Sequence, residues 1–283
     1  MKSMSSITVR EMLRLLGSAA AAATIGAVVS FSAVNTAAAD FTASLLKPGT
    51  IVVGTTGSAP PMTMIGPDGQ LAGYDIDVMN QVGKDLGLKV EFVQLDWTGL
   101  LPGLAARRFD VVASGVTRTK ERLSSPDFVI VSPYIIDGVS ITKLASNTSI
   151  KGWADVCGKH MGTIRGSAES QLVMTVVPSG CITNVTQYPG WTEMALDLKN
   201  GRIDWIGQNY LGPAYAAKQD SSLVVIPDVK SPTTMGVAVA GSEADLAKQI
   251  DALMVKYRGD GTLDALTKKW YGQTMDWSKM PAD

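Results

Sequence analysis

Small hydroxyls and the Arg122 guanidinium stand together in SGVTRTKER (Ser114–Arg122). The chemistry they offer is capture of a carboxylate. Arg122 carries a planar fork that holds a carboxylate through two parallel hydrogen bonds. Ser114, Gly115 and Thr117 supply hydroxyls and free backbone N–H groups beside it. The plainer reading of Arg122 is a solvated side chain on a short helix. GTIRGSAES (Gly162–Ser170) is a second candidate, where a strand, a glycine and Ser167 open a helix. Free N–H groups at a helix start attract anions. Ser167 also reads as an ordinary N-cap, and both roles are compatible. His160 is the only histidine, which leaves no obvious Ser-His pair. No G-x-S-x-G elbow and no G-x-x-x-x-G-K-[ST] loop occurs. Two cysteines and one histidine lack ligand spacing, so neither a metal nor a cofactor is expected.

The elements that must position these residues alternate strand with helix. TIVVG (Thr50–Gly54) reads as a buried strand, and GPDGQLAGY (Gly66–Tyr74) as a hairpin. Ile76, Met79, Val82 and Leu86 fall at helical spacing. Lys89–Val93 and Phe109–Ala113 are strands around a short helix marked by Leu100, Leu101 and Leu104. The second strand leads into a Ser-Gly-x-Thr turn. The rhythm repeats after Lys143. Trp153–Val156, Ser167–Val177, Trp191–Lys199 and Pro213–Lys218 read as helices. Met161–Ile164, Thr183–Tyr188, Ile203–Ile206 and Leu223–Ile226 read as strands. Such alternation argues for parallel sheets in α/β layers. Ile135–Leu144 and Ser231–Ala240 look like extended connectors. Two amphipathic helices follow, separated by the turn at Gly259–Gly261.

The order and wording of Gly73–Arg122, with GTIRGSAES and NGRIDWIGQNYLGPA (Asn200–Ala214), resemble the periplasmic solute-binding proteins, family 3. These are the substrate-binding proteins of polar amino acid ABC transporters. The resemblance covers almost all of residues 48–272. It implies a type II periplasmic-binding-protein fold: two α/β lobes, each a mostly parallel sheet flanked by helices, with two hinge crossovers. Lobe 1 would take residues 40–138 and 233–283, and lobe 2 residues 139–232. The ligand would be an amino acid or small carboxylate, and the partner a membrane permease serving a monomer. In the family, the arginine at Arg122 grips the ligand α-carboxylate, assisted by Ser114, Gly115 and Thr117. Ser167 and the backbone of Arg165–Ala168 complete the clamp.

Other positions depart from the family pattern. Thr56 replaces a common acid, Ala59 an aromatic residue, and Met62 the usual Phe. Trp97 occupies a cleft-lining position, with core packing as the alternative. Asn209 stands where an acid usually pairs with the ligand ammonium. The counterpart of Asp75 approaches the ligand side chain in basic amino acid binders, but Asp75 equally reads as a helix N-cap. Arg118 has no family match and reads as a surface or rim charge. GTTG (Gly54–Gly57) and Asp137-Gly138 also resemble exported cyclohexadienyl dehydratases, which use a carboxylic acid in the cleft. No acid stands at Asn209–Tyr210, which argues against that chemistry. A sensory ligand-binding module is a third reading.

The N-terminus reads as a signal peptide, residues 1–39. Lys2, Arg10 and Arg14 precede the uncharged stretch Leu15–Val34, and Ala37-Ala38-Ala39 fits a peptidase site. A retained anchor helix is the alternative. Cleavage after Ala39 removes three basic residues and one acid from 25 and 26, leaving 22 and 25. The remaining charge of −3 gives no basic block for nucleic acid or an anionic membrane. In an exported, periplasmic chain, Cys157 and Cys181 most simply form one disulfide, with two buried thiols as the alternative.

Overall fold

The computed structural model describes residues 42 and 44–282. The expected signal peptide and its cleavage site lie outside the described residues. In chain order the elements open with β1 (Thr50–Thr55), β2 (Ser58–Ala59), β3 (Thr63–Ile65), β4 (Leu71–Ala72), α1 (Tyr74–Leu86), β5 (Lys89–Gln94) and α2 (Trp97–Ala105). Next come β6 (Val111–Thr117), α3 (Lys120–Leu123), β7 (Phe128–Ile130) and β8 (Ile135–Leu144). β9 (Met161–Ile164), α4 (Ala168–Val176), β10 (Val185–Tyr188), α5 (Trp191–Lys199), β11 (Trp205–Asn209) and α6 (Leu211–Gln219) follow. The chain ends with β12 (Leu223–Ala240), α7 (Ala244–Gly259) and α8 (Thr262–Tyr271).

Parallel strands need cover on both faces, and β1 has it: Ile51 to Thr55 are all buried. It runs parallel to β5 on one side and β6 on the other. β5 is the edge strand and alternates exposed with half-buried residues. At the far edge, β9 is parallel to both β10 and β11. The full order is β10-β9-β11-β8-β12-β6-β1-β5, with β7 also paired to β12.

The two parallel groups are joined by antiparallel β8 and β12, which are the two connectors. β12 pairs Leu223–Ile226 with Leu144–Ile141, slips register around Lys230, and resumes with Thr233–Met235 against Asp137–Ile135. It then continues against β6 and β7. Such bulges bend a strand and place a hinge in the sheet. The expected break between Ile226 and Ser231 is therefore bridged by one long, irregular strand. The expected turn at Ser114–Thr117 is likewise the end of β6.

Apolar packing divides along the same line. Around β1 and β6, Val53, Tyr74, Val78, Tyr134, Ile250 and Tyr257 fill one face, while Leu100, Leu104, Phe109 and Ala238 fill the other. Around β9 and β11, Ile141, Trp153, Val156, Met161 and Trp205 form one core and Met194, Leu198 and Ile206 another. α7 and α8 return to the first group of cores. Cys157 and Cys181 form the disulfide, beside the Trp153 core.

Candidate functional site

At the end of β1 the chain turns between β6 and β3, and the wall there is made of hydroxyls. Thr56 Oγ1 lies 2.9 Å from Thr63 Oγ1 and 3.1 Å from Ser114 Oγ. The Thr56 N–H donates to Ser114 Oγ at 3.2 Å. Gly115 takes φ +64°, and a Cβ there would sit 2.4 Å from Met62 Sδ, so glycine lets β6 kink against the Met62 loop. The Gly115 N–H donates to Asp75 Oδ2 at 2.8 Å. Asp75 is not the N-cap of α1, because Gly73 is; it is the second helical residue and lies fully buried beneath the kink. Burial pushes its carboxyl up to about 7, against the lowering effect of the Tyr134 hydroxyl and the Gly115 N–H. Asp75 thus supports the kink and forms no part of the cavity wall.

Arg122 sits in α3, whose N-cap Thr119 accepts from the Arg122 N–H at 3.2 Å. The guanidinium donates from Nη1 to the Thr117 carbonyl at 3.2 Å, and its Cζ lies 5.3 Å from the Trp97 ring centroid. Burial lowers its pKa, and the charges of Glu169 and Glu121 oppose that shift. Thr117 Oγ1 donates to Glu169 Oε1 at 2.7 Å. Arg118 is no rim charge. Its Nη1 donates to the Ile130 carbonyl at 2.8 Å and also to the Val131 carbonyl, tying β6 to β7.

The second lobe faces these residues with the start of α4 and the end of β11. Ser167 holds the N-cap position, yet its hydroxyl makes no cap bond and is buried without a hydrogen-bond partner. Trp97 Nε1 donates across the cleft to the Gly166 carbonyl at 3.1 Å. Asn209 Nδ2 donates to Asp137 Oδ2 at 2.9 Å, which leaves Oδ1 as an acceptor. Asp137 is buried at the start of the hinge strand β8 and also accepts from the N–H groups of Gly138, Tyr210 and Leu211. Burial raises its carboxyl to about 6, and these four donors hold it from rising further.

Between the walls lies a cavity of about 80 Å³. At about 10–15 Å³ per water that is room for several waters or one small solute. Thr56, Trp97, Ser114, Gly115, Ser167 and Asn209 line it, as do Met62, Met235, Trp191 and Glu169. Arg122 and Thr117 stand behind Trp97 and Glu169 rather than in the wall. The reasoning from sequence missed Gln208, Trp191 and Glu169 as lining residues, and Thr63 and Asp137 as the partners behind Thr56 and Asn209. Gln208 Oε1, like Ser167 Oγ, is buried without a partner. Glu169 lay within a recognised stretch, but an acid in a first helical turn is favoured by the helix dipole alone and gave no further signal. The expectation of no acid at Asn209–Tyr210 holds for the sequence, yet Glu169 lines the cleft and Asp137 backs it.

The model of the bacterial extracellular solute-binding proteins, family 3, matches residues 51–273. This chain belongs to that family. The expected resemblance to polar amino acid ABC transporter substrate-binding proteins is borne out. The L-cystine-binding protein TcyJ of Escherichia coli (strain K12) is 32% identical over 226 residues, covering 79% of this chain and 83% of the relative. An ancestral arginine-binding protein bound to glutamine has TM-score 0.73 and 31% identity, covering 80% of this chain and all of that one. The ancestral amino acid-binding protein AncCDT-1, a precursor of cyclohexadienyl dehydratase, has TM-score 0.72 and 29% identity, covering 79% and 96%. Among family 3 proteins these relatives are binding proteins, and members of the family are extracellular. The two-lobed, type II fold expected for this member is present.

Proposed function

We propose that this family 3 protein is the periplasmic receptor of an amino acid ABC transporter. It captures one amino acid, or a similar small carboxylate, between lobes formed by residues 40–138 with 233–283 and by residues 139–232. The observation that carries this reading is the small two-walled cavity with unpartnered buried polar atoms, Ser167 Oγ and Gln208 Oε1, on its surface. Buried polar groups are ordinarily hydrogen-bonded, so such atoms mark places for ligand contacts. Arg122 and Thr117 are the carboxylate clamp, with Ser114, Gly115 and Ser167 assisting. Asn209 accepts from the ligand ammonium through Oδ1. Thr56 and Trp97 shape the first-lobe wall, and Asp75 positions Gly115 from behind. The monomer is exported by a signal peptide cleaved after Ala39, and the closed form is what the permease reads.

Binding to the native state raises the melting temperature by mass action. The test is a thermal-shift panel on protein stripped of solute by denaturation and refolding. The panel holds all amino acids, L-cystine, opines, and small mono- and dicarboxylates. A shift with at least one α-amino acid is expected. Shifts confined to carboxylates lacking the ammonium would mean that Asn209 has redirected the site. We read the chain as non-catalytic. Because Glu169 lines the cleft, prephenate and arogenate are the substrates to assay, and no turnover is expected.

A further inference from the structure

The hydroxyl half of the clamp proposed for the ligand carboxylate, Thr117, already holds a carboxylate of the protein itself. Glu169 comes from the first turn of α4, in the second lobe, and is 7% exposed. Its Oε1 accepts from the hydroxyl of Thr117, in β6 of the first lobe, at 2.7 Å. Thr117 is 1% exposed, so the contact is shielded from water. The Glu169 charge also acts on the half-buried Arg122 guanidinium, favouring its charged form. The α4 helix dipole stabilises a negative charge in this turn. The adjacent Trp97–Gly166 hydrogen bond crosses the cleft beside it. A hydrogen bond with one charged partner is roughly twice as strong as a neutral one.

We infer that Glu169 is a built-in occupant of the Arg122–Thr117 clamp, which closes the cleft without a ligand and which an entering carboxylate must displace. The inference takes the identity of the clamp from the proposed function, but its consequence for closure needs no ligand. Closure is an equilibrium between two arrangements of the lobes, and a cross-cleft contact present only in the closed one shifts the populations toward it. Affinity for a carboxylate is then reduced by the fraction of molecules in which Glu169 holds the clamp.

The experiment is small-angle scattering on solute-stripped protein, comparing wild type with Glu169→Gln, Glu169→Asp and Thr117→Val. Unchanged circular dichroism confirms that each variant is folded. Glu169→Gln removes the charge. Glu169→Asp keeps the charge but shortens the reach by one methylene. Wild type is expected to be compact, and all three variants to have a larger radius of gyration. Combining Thr117→Val with Glu169→Gln should open the molecule no further than either alone. A wild type already as extended as the variants overturns the inference. So do Glu169→Asp and Thr117→Val variants that both stay as compact as wild type, because the Thr117–Glu169 contact would then not hold the cleft closed. An empty thermal-shift panel would count against the receptor reading and leave this result standing.

Discussion

Asn209 illustrates how a single side chain is set by its neighbour. Its amide nitrogen is committed to Asp137 at 2.9 Å, so only the amide oxygen is presented to the cleft. Restoring an acid at this position is therefore not a simple gain. In Asn209→Asp, two carboxylates would share a buried site, and one of them would keep its proton. The variant is expected to melt lower than wild type at pH 8 and to recover most of the loss at pH 5; a gap that ignores pH would refute this. Asp75 gives a second pH-dependent case. Unfolded, an aspartate titrates near 3.9. Folded, Asp75 titrates at about 7. Between these values the native state binds more protons, so this residue's contribution to stability falls as pH rises through the window and is level above it. Asp75→Asn keeps an acceptor for Gly115 and loses the titration. The melting temperature of Asp75→Asn relative to wild type should therefore climb from pH 4 to pH 7 and then flatten, as a pH series by differential scanning calorimetry would record. For Arg122, truncation of a desolvated charge partner costs about 2–5 kcal/mol, so Arg122→Ala should weaken binding of an amino acid ligand by about 30-fold or more while the fold persists. Isothermal titration with the panel's ligand measures it, and full-strength binding would sink the clamp.

At the scale of elements, the parts with a clean period were legible and the parts that break their own rules were not. α1 and the buried β1 follow from apolar spacing, and their observed limits lie within a residue or two of the expectation. Within β12, Pro227, Ser231 and Pro232 are residues that usually mark turns, so the sequence does not show Leu223–Ile226 and Ser231–Ala240 as one strand. The strand absorbs them in two register shifts, where an unpaired residue is tolerated. β7 is three residues long, with Val129 outside, and offers too short a pattern to read. Arg122 was legible because its hydrogen bonds, with Thr117 and Thr119, are local to one stretch. The Thr117–Glu169 and Asn209–Asp137 contacts span 52 and 72 residues, and nothing local marks them. The entry of α1 carries a prediction of its own. Gly73 has φ +137°, and a Cβ there would lie 2.1 Å from the Met62 carbonyl oxygen. Both the Met62 and Pro61 carbonyls accept N–H bonds from the first residues of α1, so neither can retreat cheaply. Gly73→Ala should lose several kcal/mol in urea unfolding or fail to accumulate; a loss below 1 kcal/mol would show that the loop yields.

Over the whole molecule, the division into separate cores on either side of β8 and β12 determines how a local staple is felt. The Cys157–Cys181 bridge closes a loop with a sequence separation of 24, wholly within the group of strands around β9. A loop of that length is worth roughly 3 kcal/mol through the unfolded chain. Cys181 packs with Trp153, Val156 and Trp205, none of which touches the core around β1. Loss of the bridge should therefore loosen one lobe and spare the other. In the Cys157→Ser, Cys181→Ser double variant, hydrogen exchange is expected to rise in β9, β10 and α4. β1, β5 and β6 should keep their protection, since opening of cooperative units can be sub-global. The strands that continue from one group into the other are β8 and β12, and the register shifts in β12 weaken that link. Equal loss of protection in both lobes would mean that the hinge strands bind the cores into one cooperative unit. In that case the lobes could not move independently enough to close on a ligand as rigid bodies, and the receptor mechanism would need a different moving part.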